Sequence, residues 1–332
     1  NDADATVFTV PTGTDDILFP DNAKVIFGAG SDLSLHSNGS AGLLTSTNFT
    51  IYSDDFGISN AGASETMMTA DVDAGVVLYF NNVVKLSTTA AGITLGSSGV
   101  NTTILTHSAG TSNLTLGANA GNSIASGGNY NVTIGDEAGT AITTGDDNVA
   151  VGYSALAANT ASQVTAVGRN AGAANTTGGQ LTAVGYNAAS TVTTANDLTA
   201  IGYRSLEDNT TGTQNTGLGI TTLLNNTTGS YNTAVGMNAL YTSTTATYNT
   251  AVGRYAMFAT TTGGFNVALG AAALDANTTG TRNVAVGYAA LGLSSTASDN
   301  TAVGYAALDA NTTGASNVAV GNNALGVATT AS

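Results

Sequence analysis

The chain has 332 residues, of which 21 are acidic and 6 basic, giving a formal net charge of −15; Cys and Trp are absent. Six Lys and Arg cannot build the basic stripe that nucleic acid requires, and without Cys there is neither a disulfide framework nor a thiolate metal site. Hydrophobic residues make up 42 %, too many for a disordered acidic tail, yet no apolar run reaches the roughly 18 residues of a membrane-spanning helix.

In chain order, Lys24 to Phe27 is a predicted strand that runs into the turn cluster Gly28-Ala29-Gly30-Ser31 and a second strand, Asp32 to His36. Asn48 to Ser53 alternates apolar and polar residues. Gly75 to Phe80, the Asn81-Asn82 pair and Val83 to Leu86 predict a hairpin. Gly92-Ile93-Thr94-Leu95-Gly96 resembles the repeat strand described next and is expected to cap it. Residues 97–112, rich in Ser, Thr and Gly, read as a junction. No amphipathic helix is expected anywhere. Starting at Asn1 rather than Met, the chain reads as a piece of a longer protein.

From residue 113 onward one unit recurs, as in Asn300 to Ser316, NTAVGYAALDANTTGAS. Its glycine falls at thirteen positions from Gly117 to Gly321, spaced 18, 17 and 16 residues and then 17 nine times. The residue before this glycine is always aliphatic, the one before that always small, and the third Val, Thr or Leu. That period-2 alternation marks a short strand. Four residues before the glycine stands Asn in ten of thirteen copies, the exceptions being Val164, Leu181 and Leu198. After the glycine come a small residue at the third position, usually Leu at the fourth, and a polar ANTTG turn. Seventeen residues cannot bury a core alone. Stacked copies can, with parallel strands about 4.8 Å apart and ladders of Val, Leu and Asn, so thirteen coils predict a rod roughly 60 Å long. The aliphatic column is assigned to the core, so that Val252→Asp is expected to bury an unpaired charge. About three side chains per coil exceed Ala in size, a thin core for an isolated solenoid. Several chains around one axis would bury the remaining Ala, Val and Leu surface. The expectation is therefore an all-β fibrous homotrimer, with a monomeric solenoid as the alternative. Residues 1–96 form a β-rich trimeric module, 97–112 the junction, and 113–332 a stacked parallel β-roll or β-helix of thirteen coils.

Two resemblances bear on function. Asp21 to Ser40 (DNAKVIFGAGSDLSLHSNGS) and Val76 to Gly96 (VVLYFNNVVKLSTTAAGITLG) resemble modules of marine bacteriophage tail fibres, cyanophages included, on the residues Phe27 to Leu33 and Leu78 to Ile93. The Asn-x-Ala-Val-Gly-x-x-Ala-Leu units are similar to the head repeats of trimeric autotransporter adhesins, which are left-handed parallel β-rolls with three chains to a head; the repeat here is longer by the ANTTG turn. Both resemblances imply a trimeric fibre that presents a tip or flank to a host surface. The expected function is the shaft or lateral segment of a phage tail fibre in the virion. Its expected partners are its own copies, other virion tail proteins, and a host surface glycan or envelope protein. A trimeric adhesin on a bacterial cell surface is the alternative. Nucleic acid and membrane insertion are not expected.

Little in the chain carries chemistry. His36 and His107 are lone residues without metal-ligand spacing, and no HExxH or G-x-S-x-G occurs. Asp15-Asp16, Asp54-Asp55, Asp146-Asp147 and the alternating Asp71 and Asp73 read as solvated loop carboxylates, with calcium at Asp146-Asp147 a lesser reading. The paired carboxylates of a glycosidase need a cleft that near-identical coils do not offer. Asn-x-Ser/Thr matches at Asn48, Asn113, Asn131, Asn209, Asn277 and Asn311 arise from composition. No catalytic residue, metal or cofactor is expected. One column is a candidate receptor site: Tyr153, Tyr186, Tyr203, Tyr288 and Tyr305 each follow the repeat glycine, and aromatic rows can stack on sugar rings. The competing reading has them covering the coil edge. The adjacent Thr pairs, such as Thr278-Thr279 and Thr312-Thr313, raise ice binding as a minor alternative; adjacent strand residues point to opposite faces, which disfavours it.

Overall fold

The computed structural model describes nine strands between Lys24 and Leu105 and, without a break, residues 110–327. No helix occurs among the described residues. Contacts divide the chain into a unit ending at Phe56 and a second one beginning at Gly57.

In the first unit, β1 (Lys24–Phe27), β2 (Leu33–Ser37) and β3 (Gly42–Ser46) form an antiparallel sheet, with Phe27 opposite Leu33 and Ser37 opposite Gly42. The first two strands are those the sequence predicts. The alternating stretch Asn48 to Ser53 lies outside the described residues. A further strand, β4 (Asp55–Ser59), spans the division.

The second unit opens with an antiparallel meander of β5 (Thr66–Asp71), β6 (Gly75–Phe80), β7 (Val83–Thr89), β8 (Gly92–Leu95) and β9 (Thr102–Leu105). The predicted hairpin is β6–β7, with Phe80 opposite Val83. Gly92–Leu95, expected as the first cap of the rod, is instead an antiparallel member of this meander. The strand that abuts the solenoid is β9, which falls within the expected junction. It pairs antiparallel with β10 (Leu114–Leu116), Leu105 opposite Thr115 and Ile104 opposite Leu116. The first coil thus has its strand edge covered by a hairpin-built sheet, which removes an open edge.

From β10 to β22 (Val318–Val320), thirteen strands stack in parallel, one per repeat and in unbroken register. Gly117 to Gly321 makes twelve full turns of a β-solenoid, 17 residues per turn on average. The strands are short, three or four residues. The alternation seen in the sequence sets the two faces, but their sense is opposite to the expectation. The small residue points inward: Ala251 has no solvent exposure, whereas Val252 is 37 % exposed. A 17-residue loop closes on so narrow an interior that the central strand position holds only a small residue, Ala in ten coils, Gly217 in one and the buried Thr115 and Thr133 in the first two. The larger aliphatic side chain turns out.

The inside of each coil is completed from the opposite wall. Three residues after the repeat glycine comes Ala in eleven of thirteen coils, buried in ten of them. Four after it, where Gly121, Gly139, Gly172 and Ala189 are the small exceptions, comes in most coils a buried Leu, as in Leu206, Leu240, Leu274 and Leu308, with Met257 in the same column. These large residues hold a left-handed backbone, φ +51 to +53, which costs a non-glycine residue roughly 1–2 kcal/mol. The strain aims the longest apolar side chain of the repeat into the core, where full burial of a Leu returns about 1.5–3 kcal/mol. One coil shows how tightly volumes are matched. Where hydroxyls replace Ala on that wall, at Ser205 and Thr222, the strand residue between them shrinks to Gly217. A Cβ there would stand 2.5 Å from Ser205 Oγ, and the two hydroxyls bond each other at 2.7 Å.

The repeat glycine has a steric cause. Gly253 has φ +137, and a Cβ on it would meet the carbonyl oxygen of Gly270 at 2.5 Å. The same contact recurs coil after coil, so these glycines stack backbone on backbone.

The Asn four residues before the glycine forms the expected ladder, buried throughout. Asn266 Oδ1 accepts from the backbone N–H of Asn283 at 2.9 Å and from its Nδ2 at 3.2 Å, while Asn266 Nδ2 donates to Gly280 O at 2.9 Å. The side chain thus does the work of a backbone carbonyl at the strand's N-terminal end. Where Leu181 and Leu198 interrupt the ladder, β14 (Leu181–Val184) and β15 (Leu198–Ile201) lengthen to four residues and pair Leu181 with Leu198. Backbone takes over the rung that Asn supplies elsewhere. A second, discontinuous ladder runs along the turn, for example Asn226 Nδ2 to Asn209 Oδ1 at 2.6 Å.

Candidate functional site

With Ala and Leu inside, each coil leaves two side chains of its strand facing outward. The first column, three residues before the glycine, is Thr in six consecutive coils from Thr165 to Thr250 and otherwise mostly Val. The second is the aliphatic column, with Val167, Val252, Leu218 and Leu269 each more than a third exposed. Twelve steps of about 4.8 Å make the stripe roughly 58 Å long, and two columns about 7 Å apart give it on the order of 400 Å². Its second column is aliphatic throughout and its first is Thr in seven of thirteen coils; an uncharged stripe of this size is comparable with the patches that mark interaction sites on monomers. No charged side chain interrupts either column.

Two rims border the stripe. After the glycine stands the candidate tyrosine column, with Tyr153, Tyr186, Tyr203, Tyr288 and Tyr305 exposed by 43–56 %. The structure brings them together in pairs. Tyr186 stacks on Tyr203 at 5.5 Å, and Tyr288 on Tyr305 at 5.4 Å, near parallel in both cases. The Arg169 guanidinium lies 5.3 Å over the Tyr153 ring. Each ring therefore gives one face to a neighbour along the axis and shows edge and hydroxyl outward. That geometry limits stacking on a sugar to the faces at the ends of each pair.

The opposite rim, the residue before the ladder Asn, was not singled out by the sequence. It includes Tyr231, Tyr248 and Phe265, a continuous stack with centroids 4.6 and 4.9 Å apart. Every residue of this column has a left-handed backbone, φ +53 to +63. The usual sign of such a conformation, Gly or Asn, is missing from all thirteen copies. The only available signal was that absence.

The turn threonines act within the coil stack. Thr278 Oγ1 donates to Ser295 O at 2.9 Å, Thr261 Oγ1 to Thr278 O at 3.1 Å and Thr227 Oγ1 to Thr244 O at 3.0 Å. These hydroxyls, the first of each pair, satisfy the carbonyls of the next coil, while the second threonine of the pair is exposed in nine consecutive coils from Thr177 to Thr313.

The carboxylates do not converge. Asp146 Oδ1 accepts from Asn129 N at 2.7 Å and Nδ2 at 3.2 Å, while the neighbouring Asp147 lies on the rim. Glu207 is held by Arg204 and Asn187. Arg282 and Asp299 form a bidentate exposed pair at 2.6 and 2.8 Å, and that hydrogen bond holds Asp299 below the usual carboxylate range. Burial pushes Asp275 up, and burial with the nearby Glu207 pushes Asp208 up. Among the described residues no three His, Asp or Glu are grouped to hold a metal, and no helix is long and apolar enough to cross a membrane. His36 falls in β2; His107, Asp15, Asp16, Asp54 and Asp73 lie outside the described residues. Of the Asn-x-Ser/Thr positions, Asn113, Asn131, Asn209, Asn277 and Asn311 are buried in the ladders.

Comparison with protein families, with curated proteins and with solved structures finds no match to this chain.

Proposed function

We propose that this chain is the shaft or lateral segment of a homotrimeric fibre, a phage tail fibre that reaches the host envelope. The observation that carries the reading is the uncharged stripe along the outer strand face. It runs the whole length of the solenoid and stays in one register for twelve turns. With its rims, up to about 20 Å across at full extension, the face measures about 1,100 Å²; shared between two neighbours it gives each interface about 550 Å² from either side, a total of about 1,100 Å² that clears the roughly 1,000 Å² of a specific contact. A second and third copy would cover it. Three identical faces closing head to tail around an axis parallel to the solenoid leave no open contact. The outer walls and turns remain for other virion tail proteins and for a host glycan or envelope protein. The resemblance of Phe27 to Leu33 and Leu78 to Ile93 to marine phage fibre modules favours the virion over a bacterial adhesin of the same architecture.

The experiment is retention of the labelled full chain on intact cells of a marine bacterial panel. Saturable retention on particular strains supports attachment. Retention on none of them removes the adhesive half of the reading.

A second reading, ice binding, has two regular Thr columns to draw on, the exposed turn column from Thr177 to Thr313 and, on the stripe, the partly exposed outward run from Thr165 to Thr250. The latter competes for the same face. Ice recrystallisation inhibition by a monomeric chain would favour this reading over assembly.

A further inference from the structure

Three columns of every coil adopt the left-handed backbone, and two of them explain themselves. The buried Leu column fills the core. The column two residues after the glycine is mostly Asn, Ser or Ala, with Asn the commonest and Glu137, Arg204, Thr221 and Tyr255 the exceptions, and Asn is among the residues that enter this conformation most readily. The rim column before the ladder Asn is different. It places Tyr248, Phe265, Gln163 and Arg282 in that conformation at φ +58 to +62, with the side chains outside the coil. In a chain with 42 glycines, none is used at this position, where glycine would relieve the strain. Bulky residues kept in a strained conformation point to a role for the side chain, and nothing inside the chain supplies one for all thirteen.

The opposite rim supplies the complement. Wherever one rim carries a charge, the other carries Tyr or Gln in the same coil: Asp147 with Tyr153, Gln163 with Arg169, Tyr248 with Arg254, Arg282 with Tyr288. Within a coil the two positions are six residues apart along an extended segment, up to about 20 Å, so they do not meet in one chain. Three copies closing head to tail bring one copy's first rim against its neighbour's second. At equal height this pairs carboxylate with phenol hydroxyl and guanidinium with ring face or amide, and no like charges face each other. A slip of one coil in one direction sets Asp136 against Asp147, and a slip in the other gains the single pair Arg169 with Asp147 but takes the Tyr of equal height from Asp136, Asp197 and Asp299.

We infer that the two rims are a pairing code that holds three copies of this chain parallel and at one axial height. The inference rests on the trimer reading above and names which residues set its register.

The absence of Cys makes the test clean. The full chain carrying Gln163→Cys with Arg169→Cys is oxidised, run on a non-reducing gel and weighed in solution by light scattering. A disulfide needs Cα atoms about 4.4–6.8 Å apart, so this pair cannot close within a chain. The expected result is a covalent trimer, while each single variant and the off-register pair Gln163→Cys with Arg254→Cys run as single chains. Ser316→Cys with Asn322→Cys repeats the test in the last coil if the first pair does not fold. A three-chain mass without cross-linking overturns the rim code and leaves the trimer standing. A one-chain or two-chain mass overturns both.

Discussion

The Asn ladder predicts a coupling that ordinary core substitutions lack. Asn266→Leu removes the acceptor of the buried Asn283 N–H and the donor to Gly280 O. A buried N–H left unpaired costs about 1–3 kcal/mol and a lost neutral hydrogen bond about 0.5–1.5, so the single change should cost roughly 2–4 kcal/mol. Asn283→Leu does the same one coil further on, stranding Asn300 N–H and losing Ala297 O. The double variant places Leu beside Leu, as at Leu181 and Leu198, where the strands lengthen and backbone takes the rung. Only Asn300 N–H is then unpaired. The double cost should exceed that of one single only by the second lost carbonyl bond, about 0.5–1.5 kcal/mol, a coupling of about 1–3 kcal/mol. Urea unfolding followed by circular dichroism gives the total, and hydrogen exchange at the two coils reads the local opening. Costs that add to within about 0.5 kcal/mol would refute the idea that Asn side chain and backbone rung substitute for each other.

Three further changes separate the other forces. Gly253→Ala should destabilise by at least about 2 kcal/mol, from the positive φ and the approach to Gly270 O; an unchanged melting temperature would deny that steric origin. Ser294→Asn should stabilise by about 1 kcal/mol, because Asn277 Oδ1 and Ser294 Oγ are buried without partners and Asn311 continues the same column; a lower urea midpoint would show that this coil has no room. Asp275 titrates above its usual 3.8 because burial disfavours its charge. A folded pKa above the unfolded one means that its stabilising contribution is present at low pH and lost as pH rises through the folded value. Asp275→Asn should therefore raise stability at pH 7 and flatten the acid side of the stability profile, and equal profiles for the two proteins would count against burial as the cause.

Much of the fold was legible because the period forces it. A fixed 17-residue spacing with Asn, aliphatic and Gly columns leaves few arrangements other than stacked parallel strands. Which face is inside was not legible. Alternation at Thr250-Ala251-Val252 defines two faces, and size favours placing Val within; the narrow coil reverses the choice, because Leu from the far wall already fills the space. Gly92–Leu95 resembles a coil strand in composition, yet its neighbours on both sides are antiparallel, and pairing partners are not written in a four-residue segment. The tyrosine rim was visible because five of its thirteen positions are Tyr. The facing rim was not, since Tyr, Gln, Asp and Arg share no motif there. What they share is a backbone conformation.

The most direct test of the central claim is the solution mass of the full chain beside that of Val252→Asp combined with Leu269→Asp, which charges the outer stripe without touching the inward Ala column. The wild type should weigh three times 32.5 kDa. The variant should weigh one chain and keep its β-sheet circular dichroism. A wild type of 32.5 kDa, or a variant that still weighs three chains, would contradict assembly through this face.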